Sequence, residues 1–241
     1  MITVVLAITS LFTALLSGIF GMAGGMVLMG VYTALLPVPT AMVMHGATQL
    51  VSNVARALLL RRDVHWRGFF LYAAGALLAS LALFTVHYVP HPVVVLLGLG
   101  LAPFVARLLP AKLLDFERPG AAFVCGVQVA SVQLMAGAAG PLLDVCFLES
   151  KMTRQQVVAT KAVTQVFSHA LKIAYFVPAL ARGTISPSLA LSVLVATICG
   201  TLLGTYVLHR MSDGAFRRYS RAIVYTIGGV YLCKAGLVLL P

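Results

Sequence analysis

Apolar residues run in long blocks down the chain, parted by short polar or Gly/Pro-bearing gaps. The blocks are Ile2–Ser17, Met26–Leu36, Thr40–Leu60, Phe69–Val86, Val93–Leu108, Ala121–Ala136, Leu142–Leu148, Val157–Leu180, Leu189–Leu208 and Ala222–Leu240. Several reach the ~20 residues that a helix needs to cross a bilayer. Met26–Leu36 and Leu142–Leu148 are clearly too short. The pattern predicts an all-α polytopic membrane protein.

Each short block follows a glycine-rich break. "FGMAGGMVLMG" (Phe20–Gly30) places four glycines among apolar residues, although glycine costs a helix about 1 kcal/mol relative to alanine. The break recurs: "GMAGG" (Gly21–Gly25) aligns with "GAAGP" (Gly137–Pro141) at an offset of 116. The same ungapped offset carries Thr48 and Gln49 onto Thr164 and Gln165, Ser52 onto Ser168, and Arg56 onto Lys172. Two repeats follow, residues 1–109 and 110–241, a plan common among secondary transporters.

The loop charges decide how the repeats face. Lys and Arg concentrate on the cytoplasmic side of a membrane protein. If each glycine-broken segment crosses once, seven loop cations fall on one side and six on the other. If each is a hairpin that enters and returns, twelve fall on one side, and only Arg182 falls on the other. We therefore expect two inverted repeats, each a glycine-broken re-entrant hairpin plus three transmembrane helices, with amino and carboxyl termini outside; the alternative is a kinked but continuous helix. A bend of this kind must line a cavity, because lipid cannot satisfy its backbone groups. The helix beginning after it presents free N–H groups and partial positive charge, which suits an anion; close helix packing is the other use of such glycines.

Composition agrees with a bilayer. Hydrophobic residues make up 61% of the 241, charged residues 10%, and mean hydropathy is +1.01, whereas soluble domains carry about 25% charged residues. The net charge of +11 sits in short loops and sets topology, so no nucleic-acid partner is expected. The first block lacks a basic leader and a cleavage site and is not read as a signal peptide. Cys125, Cys146, Cys199 and Cys233 stand alone in apolar segments and are expected as free thiols.

The candidate chemistry lies on two helices. His45, Gln49, Ser52 and Arg56 fall on one helical face, and Lys161, Gln165, Ser168 and Lys172 repeat it. Thr48, Thr164, Asn53 and His169 flank these stripes. Such faces avoid lipid, and intramembrane ionisable groups read first as functional, although interhelical hydrogen bonding is the other use for the neutral ones. Lys161 lies within an apolar helix and is the expected anion-binding charge. Asp144 is expected to pair with it, cap the half-helix or take a proton, the ion pair being favoured. Arg56 and Lys172, nearer helix ends, are expected to snorkel. His45 and His169 are expected to hydrogen-bond rather than ligate. No metal-ligand spacing, nucleophile motif or phosphate loop occurs, so neither metal, cofactor nor enzyme activity is expected.

"FGMAGG" (Phe20–Gly25), "HGATQLVSN" (His45–Asn53), "RRDVHW" (Arg61–Trp66), "GAAGP" (Gly137–Pro141), "VVATKAVTQVFSHA" (Val157–Ala170) and "HRMSDGAFRR" (His209–Arg218) together resemble the sulfite exporter TauE/SafE family of membrane permeases. Ala23 and Ala139 stand where that family usually has glycine. The resemblance implies an inner-membrane carrier of sulfite, thiosulfate or organosulfonates, with the glycine motifs and the helices after them building the translocation site. The expected site is Gly21, Ala23, Gly24, Gly25, His45, Thr48, Gln49, Ser52, Asn53, Gly137, Ala139, Gly140, Lys161, Thr164, Gln165, Ser168 and His169. Its expected partners are a small anion and the bilayer, and a homodimer is compatible with the pattern. A cation or neutral-solute transporter and a non-transporting membrane scaffold are the alternatives.

Overall fold

A computed structural model of the chain describes residues 2–20, 23–108, 115–147, 150–180, 185–208, 210 and 213–239. Among them are ten α-helices and no strand, in keeping with the all-α expectation. The first five are α1 (Ile2–Phe20), α2 (Ala23–Leu35), α3 (Val38–Leu59), α4 (Trp66–Val86) and α5 (Pro92–Leu108). The second five are α6 (Pro119–Ala136), α7 (Gly140–Val145), α8 (Arg154–Phe176), α9 (Pro187–Leu208) and α10 (Asp213–Leu239). Within Trp66–Val86, Pro119–Ala136 and Pro187–Gly204 the chain is long and apolar enough to cross a membrane; α3 and α8, at 22 and 23 residues, are as long but carry the polar stripes.

Local chemistry sets the ends. Proline opens α5, α6 and α9, where its missing N–H leaves nothing unsatisfied. A capping box opens α8: Thr153 accepts from the Gln156 N–H, and the Gln156 side chain accepts from the Thr153 N–H. α6 stops at Gly137, whose φ of 79° is left-handed and whose N–H donates to the Gln133 carbonyl at 2.9 Å. Glycine adopts that conformation without a Cβ clash.

Both glycine breaks reverse the chain. Ser10 and Tyr32 share a 2.6 Å hydrogen bond between α1 and α2, and Gly24 packs on Thr13 and Ser17 with no room for a Cβ. In the second break, the Phe116 N–H donates to the Cys146 carbonyl at 3.0 Å, and Phe116 stacks on Phe147 with ring centroids 4.4 Å apart. This return also corrects the reading of the cysteines: Cys125 and Cys146 are disulfide-bonded, while Cys199 and Cys233 are free. The pair lies 21 residues apart in sequence, and only the hairpin makes them neighbours.

Helix packing is mutual between the halves. α1 lies along α9 in the same direction, with Leu11 against Gly200 and Leu15 and Gly18 against Gly204. α4 lies along α6 likewise, with Gly68 against Phe116 and Gly75 against Phe123. α3 and α8 run antiparallel, His45 meeting Lys172 and His65 meeting Thr160. α5 and α10 also run antiparallel, Gly100 meeting Leu232 and Phe104 meeting Tyr225. Small residues permit the approach: a Cβ on Gly18 would lie 2.9 Å from the Gly204 Cα. Outside, Val4, Ile8 and Phe12 of α1, Phe70 and Leu78 of α4, and Leu191 and Leu202 of α9 form an exposed apolar surface.

Candidate functional site

The two reversals and the two polar helices converge on one buried cavity of about 20 Å³. It is lined by Gly25 of α2, His45 and Gln49 of α3, Gln133 of α6, Ala138, Ala139 and Gly140 at the second break, and Gln165 and His169 of α8. Such a volume holds about one water molecule and is too small for a tetrahedral oxyanion. The first turn of α2 and the turn into α7 therefore face a common space, which antiparallel packing of α3 and α8 supplies with a glutamine from each.

The lining is polar and incompletely satisfied. The Gln165 amide nitrogen and the Gln133 amide oxygen are buried, and neither has a hydrogen-bond partner among the described residues. An unsatisfied buried polar atom costs about 1–3 kcal/mol; the Gln165 nitrogen is a donor that an anion can complete, whereas the Gln133 oxygen is an acceptor that needs a donor such as water. Gly25 packs on the Gln49 side chain, whose Nε2 would lie 3.3 Å from a Cβ added there. Gln133 also donates to His169 Nδ1 at 3.4 Å. The Gln165 amide N–H is the unpaired donor of this lining among the described residues, suited to hydrogen-bonding a small anion.

Directly beside the cavity, a lysine is enclosed. Lys172 is fully buried, and its Nζ donates to His45 Nδ1 at 2.6 Å and to the Gly137 carbonyl at 2.9 Å. His45 Nε2 donates to the Gly25 carbonyl at 2.9 Å, which fixes its tautomer because a carbonyl only accepts. The His45 and His169 rings lie 5.6 Å apart. Snorkelling, expected of Lys172 from its place near a helix end, does not occur: the side chain turns inward to His45 and the Gly137 carbonyl.

The other expected site residues divide. Gly25, His45, Gln49, Ala139, Gly140, Gln165 and His169 line the cavity, and Gly137 contributes its carbonyl to Lys172. Gly24 packs on α1, Ala23 begins α2, and Gly21 lies outside the described residues. Thr48 and Thr164 donate to the carbonyls of His45 and Lys161 on their own helices, each at 2.9 Å, and Asn53 donates to the Gln49 carbonyl. Ser52 accepts from Thr201 of α9 at 3.1 Å, and Ser168 bonds Tyr72 of α4 at 2.6 Å; these equivalent serines tie α3 and α8 to their neighbours. Lys161 is ion-paired with Asp144, the favoured expectation for that acid.

Gln133 escaped the sequence reading. Its signal is a lone amide in apolar α6, and the offset of 116 maps it onto Ser17, whose hydroxyl is also buried without a partner among the described residues. Among the described residues, no group of three or more His, Cys, Asp or Glu could hold a metal ion.

Comparison with known proteins adds one match: the protein-family model for sulfite exporter TauE/SafE covers residues 6–232. No curated protein and no solved structure matches the chain.

Proposed function

The chain belongs to the sulfite exporter TauE/SafE family, membrane permeases of sulfur-containing anions rather than enzymes, and from that premise we propose that it is a secondary transporter working by alternating access. Its cargo is sulfite, thiosulfate or an organosulfonate, and it works in the inner membrane. One observation carries the proposal: the cavity between the glycine breaks, with the buried Gln165 amide N–H that lacks a partner among the described residues. Backbone N–H groups at Gly24–Gly25 and Ala138–Gly140, with Gln49 and Gln165, then hold the anion near the midplane. Thr48, Ser52, Asn53, Thr164, Ser168 and Lys161 line the route as the cavity opens.

The mechanical half of the proposal rests on direction. Residues 1–109 and 110–241 are read as inverted repeats, each a re-entrant hairpin with three spanning helices. Antiparallel packing of α3 with α8 and of α5 with α10 supports this, because each pair joins equivalent helices. So does the exchange of partners by which α1 takes α9 while α6 takes α4. Two such halves rocking about a fixed site expose it to each side in turn, which a cavity of only about 20 Å³ requires before an anion can fit.

The test is ligand-dependent stability followed by flux. A cargo anion at a hundredfold its Kd should stabilise the purified protein by roughly 2.7 kcal/mol, read as a higher melting temperature, and labelled anion should enter proteoliposomes. Sulfite, thiosulfate and ethanesulfonate all leaving the melt unmoved and failing to enter would show that the chain is not such a carrier.

A further inference from the structure

Lys172 and Lys161 are both lysines inside α8, yet their surroundings differ in kind. Lys161 holds a permanent counter-ion in Asp144. Lys172 is fully buried and, among the described residues, has no carboxylate partner. We propose that Lys172, backed by His45, is a proton-binding site that couples movement of the anion to movement of a proton. The proposal rests on the transporter reading above and goes beyond it by naming the coupling ion.

Proton accounting at Nζ comes first. An ammonium has three N–H donors and accepts nothing. Two are used here, on His45 Nδ1 at 2.6 Å and on the Gly137 carbonyl at 2.9 Å. Loss of one proton leaves an amine whose two N–H groups satisfy both bonds, so Lys172 can give up or take a proton without breaking its network. His45 is held neutral by the same geometry, with Nε2–H donating to Gly25 and Nδ1 accepting from Lys172.

The surroundings supply the coupling. A buried ammonium without a counter-charge is costly, and His45, which accepts from Lys172, itself lines the cavity. An anion entering the cavity provides the missing charge, so the anion and the proton each strengthen the binding of the other, a linkage that is reciprocal by necessity. The other groups near Lys172 do not substitute for the cargo. His169 on the same helix is a potential cation; Tyr72 of α4 is bonded to Ser168 and Tyr32 of α2 to Ser10, and phenols are uncharged at neutral pH. Asp144 is engaged with Lys161, about 16 Å along α8 from Lys172 by helical rise.

The network also reaches both moving parts. Gly25 carbonyl, His45, Lys172 and Gly137 carbonyl form a continuous chain joining the first glycine break to the second. Proton and anion arrive together at one seam between the halves, and leave together when it opens to the other side.

The test uses the full protein in proteoliposomes with the membrane potential clamped, and with labelled thiosulfate, sulfite and ethanesulfonate in turn. Exchange of label at equal pH reports translocation as such. A pH difference of one unit should then concentrate the label about tenfold on the alkaline side for a one-to-one proton symport. Binding in weakly buffered detergent solution should take up about one proton per anion, after correction for the anion's own titration. Lys172→Arg keeps the cation but not the exchangeable proton: proton uptake should vanish and the accumulation ratio fall to one. Wild-type exchange that ignores the pH difference, or binding without proton uptake, overturns the coupling site while leaving the transporter standing, whether or not the variant folds. Absence of exchange for all three anions in the wild type overturns both.

Discussion

Gln165 and Lys172 show how little separates a packing residue from a working one at the scale of single side chains. Both lie on α8 and both are buried, but Gln165 ends in an amide nitrogen with no partner among the described residues, while Lys172 has two. Replacing an unsatisfied buried group by an apolar one of similar shape is near neutral or stabilising. Gln165→Leu should therefore melt no lower than the wild type, while losing roughly ten- to a hundredfold in anion affinity for want of one charge-assisted hydrogen bond. Gln128→Leu is the matched control, since its amide oxygen is equally unsatisfied among the described residues but does not line the cavity; its affinity should hold. Titration of thermal stability against anion concentration separates the two. Equal loss in both variants would reduce Gln165 to general packing. The sequence marked Gln165 through its match to Gln49, whereas Gln133 carried no such match and was legible only as an amide in an apolar run.

Glycine does two distinct jobs among the helices. At Gly137 it supplies a left-handed turn, with φ 79° and Met29 filling the space where a Cβ would sit. Gly137→Ala should destabilise by at least about 1–2 kcal/mol from backbone conformation alone, and should disturb the carbonyl that Lys172 uses. At Gly18, Gly200 and Gly204 glycine instead lets α1 and α9 touch, so Gly18→Leu should cost about 1–3 kcal/mol or more through overpacking. A Cβ added to Gly229 in α10 would meet nothing within 4 Å, so Gly229→Ala should be neutral or stabilise by up to about 1 kcal/mol. Reversible unfolding in mixed micelles ranks the three, and a harmless Gly18→Leu would show that the α1–α9 seam does not depend on close packing. The breaks at Gly21–Gly25 and Gly137–Pro141 were visible as repeated sequence; which glycine turns and which packs was not.

For the whole molecule, the decisive property is direction. Helices that correspond between the halves run opposite ways, α3 against α8 and α5 against α10, and the loop cations lie twelve to one on a single side when the breaks are hairpins. The two facts are independent, one read from contacts and the other from charge. They lead to the same expectation: Arg62→Cys, before α4, should be shielded from an impermeant thiol reagent in intact cells, and His91→Cys, before α5, should be labelled. Labelling of both or of neither would break the inverted arrangement. A cavity of about 20 Å³ is also too small for the cargo until the surrounding helices move apart.

Sequence alone determined the helical class, the position of both breaks and most of the cavity lining, because these follow from local hydropathy, from internal similarity and from the cost of polar groups in lipid. Tertiary structure alone decided that Lys172 turns inward to His45, that Gln133 joins the site, and that Cys125 meets Cys146. The first two depend on helices distant in sequence arriving side by side and the third on the reversal between α6 and α7, and no local energy term in the chain records which neighbour a buried side chain will find.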